Sequence, residues 1–148
     1  MIKKINASFS PRDFLYAHLA MISSLVLPFF LLFSERKLLL APAIVEESAK
    51  VLLIFFLILP IRCLRCRFSV TLFVGIILAF SENIFYLPDF IAENNLVAYF
   101  QRFVGPTALH IFTMFFMVTL ASWKRYLLWP AFLIAIAIHY YFNFLILS

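Results

Sequence analysis

The chain has 148 residues, of which 66% are hydrophobic and only 13% are charged, and its mean hydropathy is +1.05. A soluble domain is about half apolar and about a quarter charged, so this chain has too few polar side chains to cover a water-soluble core. Disorder is excluded because the chain is far too apolar. The net charge of +5 does not indicate nucleic acid binding, because the basic residues form short clusters between apolar runs. The composition therefore predicts an integral membrane protein.

Five apolar runs are long enough to cross a bilayer, since a helical span needs about 20 mostly apolar residues. The first run follows basic residues, as a signal peptide does, but it is too long and lacks a cleavage site, so we expect an anchor. The sequence thus predicts an all-α fold, a polytopic transmembrane helix bundle that forms one domain over residues 1–148. The five predicted spans are roughly 14–33, 38–59, 68–87, 103–123 and 126–147.

Basic residues indicate the orientation of the predicted bundle, because the segments that connect the five spans lie alternately on the two sides of the membrane. One side holds Lys3, Lys4, Arg12, Arg62, Arg65, Arg67, Lys124 and Arg125. The other side holds Arg36, Lys37 and Arg102. The positive-inside rule therefore predicts a cytoplasmic N-terminus. The location that we expect is a cell membrane, namely a prokaryotic cytoplasmic membrane, in which the chain is a multi-pass protein. A polar loop predicted over 88–102 would face outward.

Two cysteines, Cys63 and Cys66, lie within the basic run 62–67. With no further cysteine in the chain and no nearby histidine, they cannot complete a four-ligand zinc site within it. We interpret them as two loop thiols without a special role, and a local redox pair is the alternative.

Several ionisable and amide side chains occur where hydropathy predicts lipid. A charged residue near the bilayer centre costs about 2.5–3.5 kcal/mol on insertion scales, so such residues usually face an interior cavity and pair with one another. The residues are Glu46, Glu47, Lys50, Glu82, Asn83, His110, His139 and Asn143, with Arg102 at the start of the fourth span.

Helical spacing brings these side chains toward one another. Lys50 lies four residues after Glu46 and three after Glu47, so its ammonium can reach either carboxylate. At 1.5 Å per residue, the polar residues of the second to fifth spans lie about 7–12 Å below the same outer surface. We therefore predict one polar site in the outer half of the membrane, carried by a four-helix core over approximately 38–147.

Small residues precede the polar ones on the same helix faces. Ala131, Ala135, His139 and Asn143 follow one another at intervals of four. Small residues at this spacing let membrane helices approach closely. The row therefore indicates that His139 and Asn143 face another helix rather than lipid.

The residues permit hydrolysis of a peptide bond, which needs a base for water, donors for the oxyanion and an acid for the leaving amine. Either Glu46 or Glu47 can be the base. His139 and Asn143 can donate to the oxyanion, and His110 can orient the water or shuttle the proton. In supporting roles, Lys50 can keep one glutamate ionised, while Glu82 and Asn83 can position the other groups.

Four motifs in these spans occur in the order known from one protease family. The EExxK signature of the PrsW-type intramembrane proteases resembles Glu46-Glu47-Ser48-Ala49-Lys50. The family's second, Glu-Asn motif is similar to Phe80-Ser81-Glu82-Asn83, and its third resembles Arg102 with His110. Its closing HxxxN resembles His139-Tyr140-Tyr141-Phe142-Asn143. The family belongs to the superfamily of CAAX-processing and bacteriocin-processing membrane proteases.

The resemblance implies an intramembrane protease that cuts a membrane-anchored protein, such as an anti-sigma factor, near the extracytoplasmic face. It implies Glu46 as the general base and the pair His139 and Asn143 as the oxyanion hole. The expected partners are this substrate and the lipid bilayer.

Charge counting leaves the cofactor open. Three carboxylates, Glu46, Glu47 and Glu82, cannot all stay ionised beside one lysine in a low-dielectric site. Either one of them keeps its proton, which supplies an acid beside a base, or a metal ion neutralises them. The chain has no HExxH motif, so we favour a glutamate base without a cofactor over a zinc-dependent protease. The zinc ligands would otherwise be Glu46, Glu47, His110 and His139.

Two other function classes use buried polar residues. An ion carrier needs polar groups at several depths, whereas the inner half of the predicted spans is almost wholly apolar. A non-catalytic immunity or binding protein would tolerate Glu46→Gln or His139→Ala without loss of function.

Overall fold

The computed structural model describes residues 9–38, 42–84, 87–92 and 94–147, and these residues form helices and short connections without any strand. The predicted all-α class is therefore confirmed. The helices are α1 (Pro11–Leu38), α2 (Pro42–Leu53), α3 (Leu64–Asn83), α4 (Leu87–Ala92), α5 (Leu96–Trp123) and α6 (Leu128–Leu147).

Three helical stretches are long and apolar enough to cross a membrane, namely Leu64–Asn83, Phe103–Trp123 and Arg125–Leu145. Large apolar side chains also cover the outside of the bundle. Leu133, for example, is 65% exposed. Monomeric soluble proteins rarely expose apolar surface so widely, so these helices indicate a membrane protein.

The helices overlap all five predicted spans, but the polar loop predicted over 88–102 is wrong. Most of it is helical, because α4 covers its first part and α5 begins at Leu96. The third predicted span, 68–87, has the same length as α3 but is shifted by four residues, since α3 is Leu64–Asn83. Pro88 lies in the first turn of α4, where the missing N–H of proline is not needed, so it is compatible with the start of this helix. Hydropathy missed these helices because it measures apolar content, not helical structure.

The start of α1 is stabilised by a reciprocal capping arrangement. The Asp13 backbone N–H donates to Ser10 Oγ (3.1 Å), and the Ser10 backbone N–H donates to Asp13 Oδ2 (3.3 Å). Pro11 occupies the first helical position, where its missing N–H is not needed. The other oxygen, Asp13 Oδ1, accepts from the backbone N–H of Arg62 (2.9 Å) and ties α1 to the connection between α2 and α3.

A π-helical turn over Ile54–Ile58 continues α2, and the Leu59 N–H donates to Ile54 O (2.8 Å). Proline has no N–H to continue this ladder, so the helix ends beside Pro60. The Arg67 guanidinium then holds the connection, because it donates to the carbonyl oxygens of Leu59 (2.9 Å) and Ile61 (2.6 Å).

The cysteines are not free thiols. Cys63 Sγ is bonded to Cys66 Sγ, so the interpretation as two loop thiols is wrong for this structure. Cys63 is the residue immediately before α3, and Cys66 lies in its first turn. The C-x-x-C spacing brings the two sulfurs together because residues three apart at a helix start share a face.

The five long helices pack as a ring. The most extensive contacts of the described residues join α1 to α3, α3 to α5, α5 to α6, α6 to α2 and α2 back to α1. An added Cβ on Gly75 would lie only 3.2 Å from the Ile111 Cα, so α3 and α5 are in close contact there. An apolar core fills the end of the ring near the connection from α2 to α3. Its fully buried members include Ile54, Ile58, Val74, Met114, Met117 and Val118.

Candidate active site

A buried polar network lies at the centre of the site and begins at Glu47. The Lys50 ammonium donates to Glu47 Oε1 (2.6 Å), and both side chains are almost completely buried. His139 Nδ1 lies 2.8 Å from the same oxygen, and because a carboxylate only accepts, the ring nitrogen donates. Of the two glutamates that the spacing allowed, Lys50 therefore pairs with Glu47.

Thr113 is a member of this network that the sequence analysis missed. Lys50 Nζ donates to Thr113 Oγ1 (2.9 Å), and Thr113 is fully buried on α5. Thr113 follows His110 by three residues and so shares its helix face, which was the available signal. It was missed because an isolated threonine is common in membrane helices and carries no charge.

The surroundings of Glu46 differ from those of its neighbour Glu47. Successive helix residues point about 100° apart, so the two carboxylates leave α2 in different directions. Glu46 Oε2 lies 3.6 Å from His139 Nε2 and 4.0 Å from His110 Nε2. The Glu46 side chain is 15% exposed, whereas that of Glu47 is completely buried. Glu46 is therefore the more accessible of the two carboxylates.

Glu82 and His110 complete the site from α3 and α5. His110 Nε2 donates to Glu82 Oε2 (2.6 Å). The rings of His110 and His139 meet edge to face, with centroids 5.8 Å apart. The site thus draws its side chains from α2, α3, α5 and α6, the four helices on which the motifs occur.

Asn83 and Asn143 are not part of this network. The Asn83 amide donates to the Ala79 carbonyl oxygen of its own helix (2.8 Å). Asn143 is half-buried one turn after His139, and no hydrogen bond joins its side chain to the cluster within the described part of the chain. Arg102 belongs to α5, but its side chain lies outside the described residues.

The small-residue row on α6 packs as expected. Ala131 and Ala135 are fully buried, and His139 follows them on the same buried face. Close packing of α6 against its neighbours therefore directs His139 into the bundle.

One group of side chains has the composition of a metal site. Ligand atoms of Glu46, Glu82 and His110 lie within 4.8 Å of one another. Carboxylate oxygens and an imidazole nitrogen are donors that zinc accepts. The group differs from the expected set in two ways. Glu82 belongs to it, whereas Glu47 and His139, which are hydrogen-bonded to each other, do not.

Comparisons of the chain with protein-family models, with curated proteins and with solved structures find no match.

Proposed function

We propose that this protein is an intramembrane peptidase in which Glu46 is the general base. The observation that carries the proposal is the unequal environment of two adjacent glutamates. Glu47 is buried and engaged by Lys50 and His139, whereas Glu46 is partly exposed and faces the ring nitrogens of two histidines. A base must reach a water molecule, and of the two side chains only that of Glu46 is partly exposed.

The proposed reaction uses the groups around Glu46 in turn. The Glu46 carboxylate takes a proton from water, and the water oxygen bonds to the carbonyl carbon of the scissile peptide. A doubly protonated His139 donates its Nε2–H to the resulting oxyanion, and the Glu47 carboxylate stabilises that imidazolium from the opposite ring edge. Glu46 then returns the proton to the amine nitrogen as the C–N bond breaks. His110, held by Glu82, orients the water.

We place this chemistry in a bundle of about five spans with a cytoplasmic N-terminus, a multi-pass protein of a prokaryotic cytoplasmic membrane. The clustering of basic residues supports this orientation. The site then opens toward the extracytoplasmic face, and the substrate is a membrane-anchored protein of the kind cut by PrsW-type proteases, such as an anti-sigma factor.

Ion transport is disfavoured by the packing beneath the site. Residues Ile54, Ile58 and Met117 are fully buried between the helices on the side away from the polar cluster. An ion path needs polar groups through the full depth of the membrane. These buried apolar residues support a polar site that does not continue through the bundle.

A zinc-dependent peptidase is the second candidate, and the grouping of Glu46, Glu82 and His110 favours it. Those three side chains would hold the ion, and bound zinc lowers the pKa of its water to about 7. His139 and Glu47 would retain their positioning and oxyanion roles in either case.

The test is cleavage of a single-span reporter by the purified full-length protein in liposomes. We expect Glu46→Gln to lower the cleavage rate by about 10²–10⁴-fold, the usual contribution of a general base. Glu46→Asp, which keeps the carboxylate, should retain measurable cleavage. Full activity of Glu46→Gln would overturn the assignment of the base. No cleavage of any reporter by the parent, together with unchanged cellular function of Glu46→Gln and His139→Ala, would favour the non-catalytic alternative.

A chelator separates the two peptidase candidates. The glutamate-base reaction should be insensitive to a zinc chelator. Loss of cleavage after chelation, restored by added zinc and abolished in Glu82→Gln, would replace the metal-free proposal by the zinc-dependent one.

A further inference from the structure

The disulfide between Cys63 and Cys66 lies away from the candidate active site. It follows the π-helical turn that continues α2, whereas Glu47 lies in the second turn of α2 and Lys50 in its last turn. Glu47 and Leu59 are 12 positions apart, which corresponds to roughly 18 Å at 1.5 Å per residue. Any chemistry of this disulfide is therefore distinct from that of the glutamates.

The two sulfurs have unequal surroundings. Cys63 is buried at the N-terminus of α3, where its Sγ accepts from the Cys66 backbone N–H (3.2 Å). Cys66 is only half-buried. A helix N-terminus and neighbouring cations both stabilise a thiolate, and Arg62 and Arg65 are adjacent, exposed residues. Cys63 is thus the better leaving group, and Cys66 is the more accessible sulfur.

The disulfide contributes little to holding the connection in place. It closes a ring over only two intervening residues, so its effect on the entropy of the unfolded chain is small. The connection is held without it, because Arg67 donates to the Leu59 and Ile61 carbonyls. Asp13 in addition accepts from the Arg62 backbone. The fold should therefore persist when the bond is reduced.

We propose that Cys63 and Cys66 form a redox-active couple that exchanges with an external dithiol reductant. A thiolate of the reductant attacks Cys66 Sγ, the bond between the two sulfurs breaks, and Cys63 leaves as a thiolate. The second thiol of the reductant then attacks the mixed disulfide and releases Cys66. The couple gains two electrons and two protons, and the reductant leaves as a disulfide.

In the proposed orientation, the end of the bundle that carries Arg62, Arg65 and Arg67 lies in the cytoplasm. Disulfides in that compartment are usually transient and redox-sensing. Only this step depends on the orientation; the exchange chemistry and its test do not depend on the proposed peptidase activity.

The first experiment counts free thiols in the folded full-length protein in detergent. We expect two alkyl groups per chain by intact mass after incubation with dithiothreitol and none after reoxidation with oxidised glutathione. The midpoint of thermal unfolding should change little between the two forms, and Cys63→Ser/Cys66→Ser should fold normally and add no alkyl group. Alkylation only after denaturation would identify a structural bond, and failure to reoxidise would show that the pair does not cycle; either result would overturn the proposal.

The second experiment tests the direction of exchange. The pH dependence of alkylation reports the thiolate fraction of each cysteine regardless of its accessibility. Peptide mapping of the reduced protein should show that the pH midpoint of alkylation is lower for Cys63 than for Cys66. Equal midpoints, or a lower midpoint for Cys66, would overturn the assigned leaving group.

Discussion

The imidazole of His139 is joined to the carboxylate of Glu47 by a hydrogen bond of 2.8 Å, although 92 positions separate the two residues in the chain. The bond fixes the ring so that its other nitrogen faces Glu46 at 3.6 Å. Glu47 therefore positions a group that can act on substrate, while itself being out of reach of any substrate.

This relationship predicts a specific kinetic effect for Glu47→Gln. The amide keeps the shape of the side chain but removes the charge that stabilises an imidazolium on His139. We expect kcat for the reporter to fall about 10²-fold or more with little change in KM, because the charge on His139 acts on the oxyanion, which develops only in the transition state. Ser48→Ala, at the next position, is the matched control and should cleave at the parental rate. A raised KM with unchanged kcat would instead assign Glu47 to substrate binding.

Lys50→Met should destabilise the protein because it leaves the buried Glu47 carboxylate without its cation. Breaking one side of a buried ion pair costs about 3–5 kcal/mol, whereas removing both charges is often close to neutral. The double variant Glu47→Gln/Lys50→Met should therefore recover most of the lost stability. The measurement is the free energy of unfolding in detergent of the parent, both single variants and the double variant, which gives the coupling energy between Glu47 and Lys50. Additive losses of stability would contradict a buried pair.

The hydroxyl of Thr113 should stabilise the folded protein. Thr113→Val keeps the shape but removes the acceptor for Lys50 Nζ, and an unsatisfied buried donor costs about 1–3 kcal/mol. Thr113→Ser retains the hydroxyl and is the matched control. Equal thermal unfolding midpoints for the two variants would show that the hydrogen bond contributes nothing.

Asp13 predicts a pH dependence of stability. The hydrogen bond from the Arg62 backbone N–H, assisted by those from Ser10, lowers the pKa of Asp13 from its ordinary value of 3.8. A lowered folded-state pKa contributes stability that is complete above the unfolded value and is lost as the pH falls through the folded value. The midpoint temperature of thermal unfolding, measured from about pH 6 down to about pH 3, should therefore fall more steeply for the parent than for Asp13→Asn. Parallel curves would show that Asp13 is not linked to folding.

Gly75 permits the close contact between α3 and α5. A Cβ added at this position would lie only 3.2 Å from the Ile111 Cα, so the larger side chain of Gly75→Leu must push the helices apart. We expect a loss of about 1–3 kcal/mol, typical of overpacking. Ile76→Leu, on the exposed side of the same helix, should unfold like the parent. A Gly75→Leu protein of parental stability would contradict the close approach.

The helical content and the polar residues inside it were predictable because both depend on local pattern. Apolar runs define the helices, and spacing by three or four places Ala131, Ala135 and His139 on one buried face. The end of α3 and the start of α4 were not predictable from hydropathy, since hydropathy measures polarity and not backbone geometry.

The amino-acid sequence alone therefore determined which residues share a helix face and which of them are too polar to meet lipid. The tertiary structure alone decided that Lys50 binds Glu47 rather than Glu46, and that Glu82 meets His110. Helical spacing leaves both glutamates within reach of the lysine. The choice between them depends on Thr113 and His139, which belong to other helices and reach Lys50 and Glu47 only when the ring of helices closes.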